Sequence, residues 1–569
     1  MKSNKEIANH LYQFSELLEA SGANPYRVRS YRRAAHVVLN LEKPLVTLVQ
    51  EHFNMTSLPW IGKGIAEVLN KIIHTDEEPI LKIHPEKKSI SELKAIPGLG
   101  EKRIELLNKK YNITTKRELL KALQSNQLNE LKWMNKNLID AIKSKVPVTR
   151  AKSFIRLYHA IPIIELLMKH LKELPGVKNI EWAGDLRRKK ETFEQIDILI
   201  EANQPSKMIQ QFINFQEVSD VYFIRSHFIS VKLWSGMKVN LHFVSKKSFG
   251  SALIHLTGNI IHVQQLEQLA LERQYRLTPK GLFRDKNYIA GEQEIDVYQK
   301  LGLPFIEPEL REGTDEIIQA KKDKLPKLIS SNDIKGDLHS HTTETDGTET
   351  LEMMAKAAEE MGYEYFAITD HSQNLAITNG LNKRRLLQQI KQIDKLNSKS
   401  DRILILKSIE VDILEDGSLD LPNEVLKELD IVVCSIHSKF KLPEQIQTER
   451  ILRAMDNPYF NILGHATGRL IRSRPPYAID MEKVLNKAKE NGCFIEVNSQ
   501  PYRLDINDIY CKMAKKKGVK VAISSDAHSI RGLNFIQWGV YQARRGWLEK
   551  KDVLNTYPWD TLKKILRRD

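Results

Sequence analysis

The chain has 569 residues, 41% of them hydrophobic and 28% charged, with a formal net charge of +15, so it is a multidomain globular protein rather than a disordered or fibrous one. Three cysteines, Cys434, Cys493 and Cys511, form no C-x-x-C pair, which argues against a disulfide framework or a thiolate zinc site. No stretch is apolar for the length of a membrane span, and the polar start Met1–Glu6 has no signal-peptide core, so a cytoplasmic protein without a membrane partner is expected.

The positive charge is unevenly spread. Residues 1–150 carry 25 Lys/Arg against 16 Asp/Glu, a balance of +9, whereas residues 331–569 carry only +2. A basic front end suggests a polyanionic partner. Residues 5–75 have helical periodicity, with Leu11, Phe14, Leu17 and Leu18 on one stripe. Within them Asn24–Arg33 packs Arg27, Arg29, Arg32 and Arg33 beside Tyr26 and Tyr31, residue types that clamp phosphates and stack bases. A solvated helix face would look the same.

The segment Ile96-Pro97-Gly98-Leu99-Gly100-Glu101-Lys102-Arg103 is more specific. Glycines two apart before a helix start let backbone N–H groups approach a phosphate, the hairpin of a helix-hairpin-helix motif. Leu58–Ala66, with Gly62, Lys63 and Gly64, is a second copy in which Trp60 replaces the first glycine. Residues 131–142 are an eroded third copy, with Asn135 and Asn137 at the glycine places. The DNA-contacting residues expected are therefore Arg27, Lys63, Gly98, Gly100, Lys102 and Arg103.

Trp182-Ala183-Gly184-Asp185-Leu186-Arg187-Arg188 precedes Gln195-Ile196-Asp197, and Lys238-Val239-Asn240 follows. Later come Phe249–Leu253 and His255-Leu256-Thr257-Gly258. Beyond the charged stretch Lys321–Lys324, Asp337-Leu338-His339-Ser340-His341 places two imidazoles on one side of an extended strand. Asp346 follows, then Asp370-His371, Glu410, His437, His465 and Asp526-Ala527-His528. Most stand just after short apolar runs. A ligand-type residue at the end of strand after strand is the pattern of a barrel or open α/β sheet with its site on the carboxyl edge. Neutral imidazoles suit Zn, Mn or Fe.

Taken together these segments resemble the bacterial PolX type, a family X DNA polymerase core fused to a C-terminal PHP domain. The resemblance runs from about residue 10 to the end. It implies helix-hairpin-helix modules over residues 1–80 and 81–150, a nucleotidyltransferase-like palm at 151–245, a thumb at 246–320, a linker at 321–334 and a distorted (β/α)7 PHP barrel at 335–569. In the palm, the family's paired carboxylates become Gln195 and Asp197, the third carboxylate becomes Asn240, and the triphosphate-holding serine becomes Asp185. Two-metal phosphoryl transfer needs clustered carboxylates. The palm therefore reads as a retained fold whose polymerase chemistry is lost, with Mg required only if some of it survives.

In the PHP domain all nine ligand positions are filled. The resemblance implies three divalent ions: one on His339, His341, Asp526 and Glu410, a second on Asp346, His371 and His528, and a third on His437, His465 and Glu410. Glu410, Asp526 and His371 are expected nearest the reacting centre, and Asp370 is expected to orient an imidazole. PHP domains of this type are Mn-dependent 3′–5′ exonucleases, and some act at abasic or 3′-blocked ends. The expectation is a DNA-repair nuclease that takes 3′ termini, gaps or abasic ends. The alternatives are a bifunctional polymerase–exonuclease, a PHP phosphatase of a small metabolite and a non-catalytic DNA-binding protein.

Overall fold

The computed structural model describes residues 2–20, 25–39, 41, 43–51, 53–58, 61–74 and 101–111, scattered positions from 113 to 131, and 154–566 except 216, 234 and 400. Gly98, Gly100 and the third hairpin copy lie outside the described residues. The chain divides into two compact units. No helix among the described residues is long and apolar enough to cross a membrane.

The first unit comprises Met1–Ile180, Thr192–Ile198 and Ala202–Phe243. Helices Asn4–Ala20, Pro25–Leu39, Leu45–Gln50 and Lys63–His74 bury Ile7, Leu11, Phe14, Leu18, Val38, Leu69 and Ile72 in one core. Leu11, Phe14 and Leu18 of the expected stripe thus lie on the packed face of the first helix. In the stretch expected to be the palm, this unit also holds helix Leu157–Glu173 and most of a five-stranded sheet. Its strand order is Val177–Ala183, Ile196–Ala202, Lys238–Val244, Phe228–Leu233, Val218–Arg225.

The second unit comprises Glu181–Glu191, Leu199–Glu201 and Val244–Asp569. Helices Phe249–Thr257 and Ile260–Glu272 pack with a three-stranded antiparallel sheet over Arg276–Ala290. The charged stretch after residue 320 is not a free strap. Ile329 and Ile334 are buried in the barrel core, and the Ile329 N–H donates to Leu548 O (3.0 Å).

The barrel has seven parallel strands in chain order: Gly336–Asp337, Tyr365–Ile368, Leu404–Asp412, Ile431–Ser435, Ile462–Leu463, Phe494–Asn498 and Val521–Ser524. The last meets the first through a bridge between Ser340 and Ala527, and the His341 N–H donates to Ala527 O (2.8 Å). Side chains alternate across each strand, so two cores form. Tyr365, Ala367, Leu406, Val433, Ile462 and Ala522 pack together with the C-terminal helix Trp559–Leu566. Phe366, Ile368, Ile405, Ile409, Val432 and Cys434 belong instead to the core that the flanking helices cover. Burial of the strands on both faces explains their near-continuous apolar runs.

Candidate metal centre

The carboxyl ends of the strands deliver the ligand-type side chains to one place. His339 and His341 leave the first strand on the same side and are fully buried. His371 follows the second strand, Glu410 lies near the end of the third, and His437 and His465 stand two residues past the fourth and fifth. Asp526 and His528 follow the seventh. Asp346, on the loop after the first strand, is the exposed member. His465 and Asp526 have left-handed backbone (φ 24° and 52°), which costs roughly 1–3 kcal/mol in a non-glycine residue and recurs at functional sites. Beside His465, Gly464 passes so near Ser435 that a Cβ would stand 2.3 Å from its Oγ.

Three groups of ligand atoms each lie within 4.8 Å of one another: His339, His341 and Asp526; His341, Asp346, His371 and His528; and His371, Glu410 and His437. His341 and His371 are each shared by two groups. Glu410 divides its oxygens between the two sides of the site. Oε2 lies 2.8 Å from His371 Nδ1, 3.5 Å from His339 Nε2 and 3.6 Å from His341 Nε2. Oε1 lies 3.0 Å from His465 Nε2 and 3.3 Å from His437 Nε2. That is the placement a bridging carboxylate needs. The grouping differs from the expected partition in drawing His341 to Asp346 and His371 to Glu410 and His437.

The donor set fits divalent ions. His339 Nε2, both nitrogens of His341 and His371 Nδ1 are buried without a hydrogen-bond partner, although carboxylate oxygens lie 2.8–3.8 Å away. Imidazoles turned towards carboxylates but not aligned with them present ring nitrogens at which a cation could take the place of a proton. Burial opposes charge on His371, but Glu410 and Asp346 outweigh it and raise its pKa to about 10. Burial likewise opposes the rise of His339, which Glu496, Glu410 and Asp526 bring about. His341 stays neutral, pushed down to about 4 by burial and by His528 and His371. Glu410 and Asp526 are held well below the usual carboxylate range despite burial, the first mainly by His437 and His371, the second by His339 and His341.

Two carboxylates absent from the sequence expectation fix the rings from behind. His339 Nδ1 is 2.7 Å from Glu496 Oε1, and His437 Nδ1 is 2.5 Å from Asp412 Oδ1. Such outer contacts set imidazole tautomer and orientation. Glu496 Oε2 also accepts from the His465 N–H (2.7 Å), and Asn498 Nδ2 donates to Asp526 Oδ2 (3.0 Å). The signal was strand alternation: Asp412 is two residues beyond Glu410, and Asn498 two beyond Glu496. Asp370 does not orient an imidazole, contrary to expectation. It accepts from the Thr342 N–H (2.8 Å), from the Thr342 and Thr345 hydroxyls and from Gln389 Nε2 (2.6 Å). Its neighbour His371 faces the site, so Asp370 faces away and holds the loop bearing Asp346.

The palm position is different. Asp197 accepts from Gln195 Nε2 (3.0 and 3.2 Å) and Asn240 Nδ2 (2.9 Å), and its Oδ1 lies 3.0 Å from His242 Nε2. Burial raises its pKa, but His242 and Asn240 prevail and lower it. No metal-type group of three forms around it among the described residues. His242 was not anticipated; Lys238, Asn240 and His242 alternate along one strand, which was its signal. In the second unit Asp185 is paired with Arg188, while Arg187 binds Glu294 (2.7 and 2.9 Å). Of the expected DNA contacts, Arg27 lies in helix Pro25–Leu39, and Lys63 opens helix Lys63–His74. Lys102 and Arg103 begin helix Glu101–Tyr111, with Arg103 exposed.

The helix-hairpin-helix domain family matches residues 2–78, the DNA polymerase beta thumb family residues 252–312, and the PHP domain family residues 337–500. The chain is 33% identical over 577 aligned residues to the DNA polymerase/3′-5′ exonuclease PolX of Bacillus subtilis (strain 168), covering 99% of both proteins. It is also 33% identical over 231 residues to a probable phosphatase of Thermoanaerobacter sp. (strain X514), covering 39% of this chain and 89% of that one. A probable phosphatase of Caldanaerobacter subterraneus subsp. tengcongensis is 34% identical over 203 residues, covering 34% of this chain and 75% of that one.

Proposed function

Because the chain belongs to the bacterial PolX family, in which a family X polymerase core is joined to a C-terminal PHP domain, we propose that it is a DNA end-processing repair enzyme of the cytoplasm whose barrel hydrolyses phosphodiesters from the 3′ end and whose polymerase activity is lost. The observation that carries this reading is a contrast between two carboxylates, Glu410 buried and Asp197 mostly so. Glu410 faces five imidazoles. Asp197 is filled by amide donors and one histidine.

In this proposal His339, His341, Asp346, His371, Glu410, His437, His465, Asp526 and His528 hold the ions. Bound there, divalent ions, Mn, Zn or Fe by donor type, would supply Lewis acidity towards a phosphate ester and towards water. Glu410 spans the site with both oxygens. His371 stands with it where two groups of ligand atoms meet, and Asp526 faces His339 and His341. Glu496 and Asp412 keep His339 and His437 in the required tautomer. The front of the chain holds DNA through phosphate contacts by Arg27, Lys63, Lys102, Arg103 and the Gly98–Gly100 hairpin, so its binding is indifferent to sequence. His339→Ala with His341→Ala should remove Mn²⁺-dependent hydrolysis of a labelled 3′ end and leave DNA binding intact; undiminished nuclease activity would overturn the assignment.

A second reading is a bifunctional enzyme, favoured by the likeness to the Bacillus DNA polymerase/3′-5′ exonuclease. Primer extension by a protein whose barrel has been disabled, abolished by Asp197→Ala, would establish it.

A further inference from the structure

Arg469 extends from the loop that carries His465 and meets a residue 278 positions earlier. Its Nη1 and Nη2 donate to Glu191 Oε1 (3.2 Å) and Oε2 (2.6 Å). The same Nη2 donates to Leu504 O. Glu191 Oε2 also lies 3.4 Å from Gln542 Nε2, on helix Ile536–Arg545. Both partners belong to the second unit. Their side chains are only 12% and 30% exposed, so water screens the pair incompletely.

Arg469 therefore stands where two loops of the barrel rim meet. One loop carries His465 and Gly468, both at positive φ; the other runs from Gln500 to Asp505 and carries Leu504, also at positive φ. The loops are stitched further by Thr467, whose N–H and hydroxyl donate to Asp505 (2.9 Å each), and by the Ile471 N–H, which donates to Tyr502 O (2.7 Å). All of these bonds except the three to Glu191 lie inside the barrel. Glu191 comes from the segment Glu181–Glu191 before the palm strand. That segment is fixed to the barrel by other contacts. Arg545 Nη1 donates to Arg188 O (2.8 Å), and Lys189 Nζ lies over the rings of Trp182 (4.7 Å) and Tyr541 (4.8 Å).

We infer that Glu191 is a positioning residue for the hydrolytic site: it fixes the Arg469 guanidinium, and through it the loops bearing His465 and Leu504, so that a residue of the polymerase-like half completes the PHP site. Arg469 is thereby committed to Glu191 and to the rim rather than to substrate phosphate. The inference rests on the hydrolase reading above. It implies that the segment Glu181–Glu191 serves as a brace for a ligand loop.

The test uses the full chain with Glu191→Gln, Glu191→Asp, Arg469→Gln and the double variant Glu191→Gln with Arg469→Gln. Two readouts are taken: kcat and KM for a 3′-labelled oligonucleotide with Mn²⁺, and calorimetric titration of the metal-stripped protein with Mn²⁺. Sub-ångström to 1 Å misplacement of a reacting group costs up to about 10²-fold, so Glu191→Gln should lower kcat roughly tenfold with KM changed less than about twofold. Its weakest Mn²⁺ step should weaken by a similar factor. Glu191→Asp, which keeps the charge, should recover most of the loss. The double variant should be no worse than Arg469→Gln alone, since both remove one interaction. Wild-type kcat and Mn²⁺ binding in Glu191→Gln, or additive losses in the double variant, would overturn the inference. Absence of Mn²⁺-dependent hydrolysis in the unmodified protein would defeat the hydrolase reading instead, and the Mn²⁺ titrations would still decide the role of Glu191.

Discussion

Glu410→Gln should strip the barrel of metal without unfolding it. The substitution preserves shape and one oxygen but removes a charge from the point where five of the six ligand imidazoles converge. Five imidazole nitrogens lie 2.8–3.6 Å from the two carboxylate oxygens. As a conservative figure for a cation that Glu410 would hold, a unit charge pair about 4 Å apart is worth about 4 kcal/mol at an effective dielectric constant of 20. Doubling this for a divalent ion, and subtracting the carboxylate desolvation and the dipole that the amide keeps, leaves about 3–4 kcal/mol, or roughly 10²–10³-fold in affinity. Metal analysis after gel filtration, beside hydrolysis of a 3′-labelled strand across an Mn²⁺ series, measures this directly. The metal-free variant supplies an independent check. Burial opposes the proton on His371, and Glu410 is the leading group that restores it. The His371 pKa should therefore fall from about 10 towards its ordinary value, as read by NMR. A variant that keeps its full metal complement and rate would refute the bridging role.

Metal affinity should rise with pH. His339, His371, His437 and His528 hold protons above their ordinary pKa in the metal-free protein, so ions must displace those protons, and acid favours the metal-free form; calorimetry in buffers of different ionisation enthalpy should show proton release, and pH-independent binding would contradict it. Glu496→Gln and Asp412→Asn should each weaken metal binding by about 10–100-fold while the fold, followed by circular dichroism, persists. Replacing Gly98 and Gly100 with bulky residues should weaken DNA binding equally for all sequences in filter-binding assays, since phosphate contacts carry no base information. With the barrel disabled, no dNTP incorporation above background is expected on a primed gap in Mg²⁺.

The ligand set was legible because a barrel gathers strand ends, and residues that follow apolar runs need no long-range information to be picked out. That Glu410 bridges two ions was implied by the resemblance; that His341 and His371 each serve two groups depends on side-chain directions fixed only when the seven strands close. Asp370 was misjudged for a local reason. It is adjacent to His371, and consecutive residues at a strand end face opposite ways. Glu496 lies mid-strand among Ile495 and Val497, with nothing in its neighbourhood to separate it from a buried structural carboxylate until His339 is seen beside it. Glu191 was invisible in sequence, being 278 positions from its partner.

The palm and the barrel pose the same electrostatic problem and answer it in opposite ways. Each buries a carboxylate, and a buried charge must be paired or hydrogen-bonded. In the barrel the pairing groups are imidazoles, several with nitrogens left unbonded, so a divalent ion could replace their protons. In the palm the pairing groups are N–H donors already seated on Asp197, from Gln195 and Asn240, with His242 alongside. An entering Mg²⁺ would have to expel those donors, leave them unsatisfied and find no second carboxylate in exchange. Lys238 adds to the obstacle by donating to Gln195 Oε1 (2.9 Å), which turns the amide N–H towards Asp197. Restoring one carboxylate, as in Asn240→Asp, would therefore recover little, because Gln195 and His242 would still occupy the coordination positions of Asp197.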